Sequence, residues 1–126
     1  MAIPPDGIDA TEEIYRLVRN AVTTRSPISA IYHDCPRLLC PHRLGWTKMW
    51  QPRVQCYQYG GESETGLEPV GSPANWRCMA VDDLSRVELL ESPWCTAPNH
   101  SRPQTCVAIV DVDADDQPER DPQKGQ

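Results

Sequence analysis

Apolar positions near the start of the chain recur with a helical period. Ile14, Leu17, Val18, Ala21 and Val22 fall at i, i+3, i+4, i+7 and i+8, which makes one stripe. Asp9 stands where an N-cap belongs, and Glu12 three residues on completes a capping-box pattern. Glu12 and Arg16 share the polar face at i, i+4. Ser26-Pro27 closes the element, because a residue before proline avoids the α region. The pattern predicts an amphipathic helix over 9–24.

Past Pro27 the period changes to two. Ile28, Ala30 and Tyr32 alternate with Ser29, Ile31 and His33, which predicts a strand. Asp34-Cys35-Pro36 reads as a turn. A second strand over 37–44 carries Pro41, a residue that suits an edge, a bend or a barrel corner. Trp46 and Trp50 sit in a polar connection over 45–52. The third strand, 53–59, puts Val54 and Cys56 on one face and Tyr57 and Tyr59 on the other. Residues 60–73 hold four Gly, two Pro and three Glu, a long loop. Strands over 75–81 and 84–90 flank a tight junction at Asp82-Asp83. Several short strands with turn-rich junctions predict a small antiparallel β-barrel over 28–91, preceded by an arm and helix over 1–27.

The remainder is less regular. Pro93, Pro98 and Pro103 deny regular pairing over 92–106, and Val107 to Val112 reads as a last short strand or a strap over the barrel. Residues 92–112 therefore form an extension packed on the barrel. From Asp113 to Gln126 no apolar anchor recurs, and an acidic, disordered tail is expected.

Length and charge sharpen this picture. At 126 residues the chain is too short for a doubly wound dinucleotide enzyme or a (β/α)₈ barrel. Phe is absent, so four Trp and four Tyr must supply the aromatic packing. The net charge of −6 hides an asymmetry. Residues 14–59 carry seven Lys/Arg against one acid, Asp34, and residues 60–126 carry five against thirteen. A basic first half suits an anionic ligand. Two halves of opposite sign also suit each other across a fold.

Six cysteines would form a disulfide framework in a secreted protein. The first residues, Met1 to Gly7, show neither a basic n-region nor an apolar h-region. The expectation is therefore a cytoplasmic protein with all six thiols reduced.

Enzyme signatures are missing: there is no GxGxxG, P-loop, HExxH, GxSxG or CxxC. Asp82 and Asp83 are adjacent and would point to opposite faces of a strand, a poor acid/base pair. A non-catalytic protein is expected. Cys40 and His42 share one strand face, and Cys95, His100 and Cys106 lie where the chain can fold back. Their spacing matches no common zinc module, and reduced Cys packs as a small hydrophobe. No metal or other cofactor is expected, with a structural zinc as the alternative. Arg37, Arg43, Lys48 and Arg53 interleave with Trp46, Trp50, Tyr57 and Tyr59, a composition that can track phosphates and stack bases. The overall acidity works against non-specific nucleic-acid binding.

The stretch from Ala30 to Glu91 resembles a WYL domain. Ile31-Tyr32 matches the strand that opens the family pattern, and Arg37-Leu38-Leu39-Cys40-Pro41-His42 matches its Arg-x-x-x-Pro. Val54-Gln55-Cys56-Tyr57 fits the next strand. Arg77 to Leu84, with Val87-Glu88-Leu89 after it, fits the Asp-x-[Ile/Leu] junction. The Trp-Tyr-Leu that names the family falls on Pro52-Arg53-Val54, and two basic family positions fall on Ala80 and Asp83. The resemblance implies a small Sm-like or SH3-like β-barrel with a regulatory or sensing role. It implies a small anionic ligand such as a nucleotide, or a short nucleic acid. Arg37 would be the main anion contact, supported by His42, Arg53, Tyr57 and Arg77. If Arg37 is that contact, Arg37→Ala is expected to abolish ligand binding at a stability cost under about 1 kcal/mol. The alternative is a structural domain that binds a protein partner through exposed Trp46 and Trp50. No membrane association is expected.

Overall fold

The computed structural model describes residues 6–63, 66–70, 72–94 and 106–116. Helix α1 runs Asp6–Thr24, three residues earlier than its capping pattern predicts, so Asp9 lies within the helix. Its stripe buries Val18, Ala21 and Val22 completely, and Arg16 reaches Glu12 at 3.8 Å. No helix among the described residues is long and apolar enough to cross a membrane.

Six strands follow among the described residues: β1 Ile28–Tyr32, β2 Cys35–Trp46, β3 Pro52–Gly61, β4 Trp76–Ala80, β5 Leu84–Leu89 and β6 Ile109–Asp113. All pairings are antiparallel. The order is β4-β3-β2-β1-β5, and β6 joins the second half of β2. Among the described residues of 28–91, five strands and no long helix agree with the sequence pattern. The expected barrel closure is not made by hydrogen bonds, because β4 and β5 lie at the two ends of the sheet order. A one-turn 3-10 link, Val81–Asp83, joins them at the predicted junction. A side chain also spans the gap: Ala80 N donates to Tyr32 Oη at 3.2 Å.

Local sequence explains two departures in β1 and β2. The turn between them is His33-Asp34, not Asp34-Cys35-Pro36, and both residues have positive φ (53° and 64°). Two left-handed residues give the twist that a two-residue hairpin needs. Pro41 sits inside the central strand β2, where the register with β3 shifts between Pro41 and Arg43. A bulge frees the proline from donating to the ladder.

Helix α1 covers the inner face of the sheet. Ile28, Leu39, Leu44, Val54, Cys56, Met79, Val81 and Leu84 meet Val18, Ala21 and Val22 there. A second, aromatic cluster gathers Tyr57, Tyr59, Trp76 and Trp94 around Cys40.

The C-terminal segment corrects two expectations. Ordered structure continues past residue 112: Asp113 belongs to β6, Arg43 Nε donates to its carboxylate at 2.6 Å, and Ala114 is buried. Residues 113–116 are thus not part of the disordered tail expected from 113, and residues 117–126 lie outside the described ones. The expectation of six reduced thiols also fails. Cys78 and Cys106 form a disulfide across 28 residues, with Cα atoms 5.5 Å apart. The pairing was hidden because only the fold brings β4 beside the segment leading into β6. Gly45 allows that segment its close pass: a Cβ there would run into Ile109 O and Val107 Cγ1.

The two oppositely charged halves do pair. Arg19 reaches Asp111 at 3.1 Å, and Arg43 reaches Asp113. Tyr15 Oη donates to the same Asp111 carboxylate at 2.8 Å. Burial first, then that carboxylate, holds the Tyr15 phenol well above its ordinary range.

Candidate anion-binding cleft

On the inner face the apolar rows end in polar residues at one mouth of the sheet. Leu39 is followed two residues back by Arg37, Val54 and Cys56 lead to Gln58, and Met79 leads back to Arg77. Ile28 and Ala30 lead to Tyr32 in the same way. Period-two alternation sends all four toward the mouth. A register shift between Leu38 and Leu39 adds Tyr59 as an extra residue beside Gln58 on β3.

Arg37 is 4% exposed. One terminal nitrogen donates to Tyr32 O at 3.1 Å and the other to Gln58 Oε1 at 3.3 Å. Its guanidinium lies 5.2 Å from the Tyr32 ring centroid, within cation–π range. Its Nε is buried and meets no acceptor among the described residues. Arg77, half-buried, donates from Nε to the same Gln58 Oε1 at 3.3 Å. Its terminal nitrogens donate to Ala74 O at 3.0 Å and Gly66 O at 3.1 Å. Burial, and then the charge of Arg37, lowers the pKa of Arg77.

Gln58 is fully buried and its orientation is fixed. Nε2 donates to Gly60 O at 3.0 Å and Glu62 O at 2.8 Å, which turns Oε1 toward the two arginines. A neutral amide is therefore their shared acceptor. Among the described residues neither Arg37 nor Arg77 has a carboxylate partner. Each guanidinium carries five N–H groups. Arg37 commits two of them and Arg77 three, which leaves three and two.

These groups border a cleft of about 240 Å³ lined by Tyr32, His33, Arg37, Ser63, Arg77 and Met79. His33 stacks on Tyr32 with ring centroids 4.1 Å apart, and its Nε2 lies 3.7 Å from Asp83 at the rim. The arrangement can take up an oxyanion, which would accept from the open N–H groups and offset two like charges.

The other site candidates lie elsewhere. His42 is buried in the aromatic cluster, its Nδ1 2.9 Å from Cys40 O and its ring edge-on to Trp76 at 4.7 Å. Tyr57 has no exposed surface and donates to Ser72 O at 2.9 Å, which anchors the loop before β4. Arg53, opposite Gly45 and Ala80, is not among the cleft residues. Of the five expected contacts, Arg37 and Arg77 come together and His42, Tyr57 and Arg53 do not. Gln58 and His33 were missed. The signal for Gln58 was available: it is the first polar residue on the inward row Val54-Cys56.

For a metal, Cys106 is committed to the disulfide, while Cys95 and His100 lie outside the described residues. No cluster of three His, Cys, Asp or Glu suited to a metal occurs among the described residues. The interleaved basic residues are likewise divided: Arg43 is paired with Asp113, and Trp46 stacks on Tyr15 at 5.7 Å. Met49 and Trp50 are exposed at the β2–β3 turn (79% and 65%).

Comparison with known proteins returns nothing: no family model, no curated protein and no solved structure matches the chain.

Proposed function

We propose that this chain is a non-catalytic, regulatory or sensing module that binds a small anionic ligand in the Arg37–Arg77 cleft. One observation carries the proposal: two guanidiniums converge on a neutral acceptor with no carboxylate partner among the described residues. Buried and half-buried cations are ordinarily paired. A ligand that brings the missing negative charge accounts for the arrangement. The WYL-like resemblance supports the same reading through Arg37, with Arg77 as a nearby substitute for a missing basic position, and it extends the ligand class to nucleotides. Supporting an SH3-like or Sm-like relationship is the meander β1 to β4 with β5 returning to β1 through a 3-10 turn. The disulfide suits an oxidising compartment, so a cytoplasmic location is not carried into the proposal.

The test is the melting temperature in sulfate against chloride at equal ionic strength. A ligand that binds only the folded state stabilises it by mass action. Sulfate should raise the melting temperature of the wild-type chain with saturation, and of Arg77→Gln far less. Equal curves in both salts would end the proposal.

A second reading rests on the β2–β3 turn. Thr47 Oγ1 accepts from Met49 N at 3.1 Å and Gln51 N at 3.2 Å, and Trp50 is held at φ 62°. A fixed, exposed Trp-Met tip has the character of an interface anchor for a protein partner. It lies about 30 Å from Arg37 along β2, so both sites can coexist.

A further inference from the structure

Resting on the anion-binding reading, the geometry points to a specific ligand group: we infer that the cleft is built for a dianionic phosphate monoester. Monoanions such as a carboxylate or a phosphodiester fit it less well.

Charge is the first ground. Arg37 and Arg77 bring two positive charges to one acceptor, and Gln58 offsets neither. A monoanion would leave one guanidinium of the pair uncompensated in a partly desolvated site. A dianion balances both. The lowered pKa of Arg77, caused partly by Arg37, marks the same excess charge. Among the described residues no carboxylate pairs with either arginine, and His33 and Asp83 face each other at the rim, 3.7 Å apart.

Donor geometry is the second ground. Arg37 on β2 and Arg77 on β4 approach from opposite sides of Gln58 on β3. A flat carboxylate has two oxygens in one plane, so a bidentate pair with one guanidinium fork leaves only the outer lone pairs for the second. A phosphate monoester presents three terminal oxygens in a tetrahedron and can accept from both forks at once. A diester has only two terminal oxygens and one negative charge. The cleft, at about 240 Å³, is small for a pocket that encloses a whole drug-sized ligand. It suits the phosphoryl group, with the ester substituent projecting past Tyr32 and His33.

Calorimetric titration of the full chain tests this with three small probes at constant ionic strength: ethyl phosphate, dimethyl phosphate and acetate. The buffer is held at about pH 8, above the second phosphate ionisation near 6, so that ethyl phosphate is a dianion. Ethyl phosphate should bind at least about tenfold more tightly than either monoanion. In Arg77→Gln, which leaves one charge, that preference should vanish. Arg77→Lys should keep the preference at reduced affinity, because it keeps the charge and loses the fork. A wild-type preference below tenfold, with some probe still bound, overturns the dianion inference and leaves the anion site standing. Failure of all three to bind overturns both.

Discussion

Arg37 and Arg77, forty residues apart in sequence, donate to one oxygen, Gln58 Oε1, at 3.3 Å each. The two arginines differ in what else they hold. Arg37 is buried and ties β2 to the Tyr32 carbonyl, whereas the other partners of Arg77 are loop carbonyls near the surface. Burial overturns the expectation that Arg37 is replaceable at little cost. Arg37→Ala should destabilise by about 2–3 kcal/mol, since it leaves Tyr32 O and Gln58 Oε1 short of a donor. Arg77→Gln should cost about 1 kcal/mol or less. Urea unfolding of the two variants checks the difference, with exposed Arg16→Ala as an unperturbed control.

Gln58 should matter more to folding than a single neutral side chain suggests. Gln58→Met removes the acceptor of both arginines and the donor to Gly60 O and Glu62 O. The expected loss is about 2–4 kcal/mol in the same unfolding experiment.

The disulfide gives a separate chemical prediction. Peptide mapping of unreduced protein should recover Cys78 linked to Cys106. Cys78→Ser should destabilise by about 3 kcal/mol, the scale for closing a loop of this length. Under native conditions iodoacetamide should label Cys35, which is half-buried, well before Cys40 or Cys56. Burial, and then the neighbouring Cys40, pushes the Cys56 thiol far up, so little thiolate is available to react.

Asp111 joins the two ends of the fold by accepting from Tyr15 and Arg19 at a single oxygen. Asp111→Ala should cost about 1–2 kcal/mol. The Tyr15 phenol has its pKa raised on folding, so the folded state favours the protonated form. That contribution is complete below the ordinary tyrosine pKa of about 10 and is lost as pH rises past it. Stability measured across the alkaline range should fall less steeply in Tyr15→Phe than in the wild type.

Much of this architecture was legible in the amino-acid order. The stripe of Val18, Ala21 and Val22 and the alternation of Ile28, Ala30 and Tyr32 located α1 and β1 because each buries one face. Arg37 was legible as a site candidate from its motif position, and Arg77 as a basic residue close to positions where the motif had lost its own. His42 and Tyr57 were misplaced because a bulge at Pro41 and the aromatic cluster around Trp76 use them for packing. His33-Asp34 escaped notice as a turn because neither residue is glycine, although both adopt left-handed backbone. The Cys78–Cys106 bond and the β6 ladder depend on contacts between distant segments, which no local pattern encodes.

The central claim is that Arg37 and Arg77 form an anion site completed by a ligand. Its most direct test is calorimetric titration of sulfate into the wild-type chain and into folded Arg77→Gln at equal ionic strength. The wild type should bind one sulfate per chain, and Arg77→Gln should bind at least about tenfold more weakly. Equal affinity in the two proteins, or no binding by the wild type, would contradict the account.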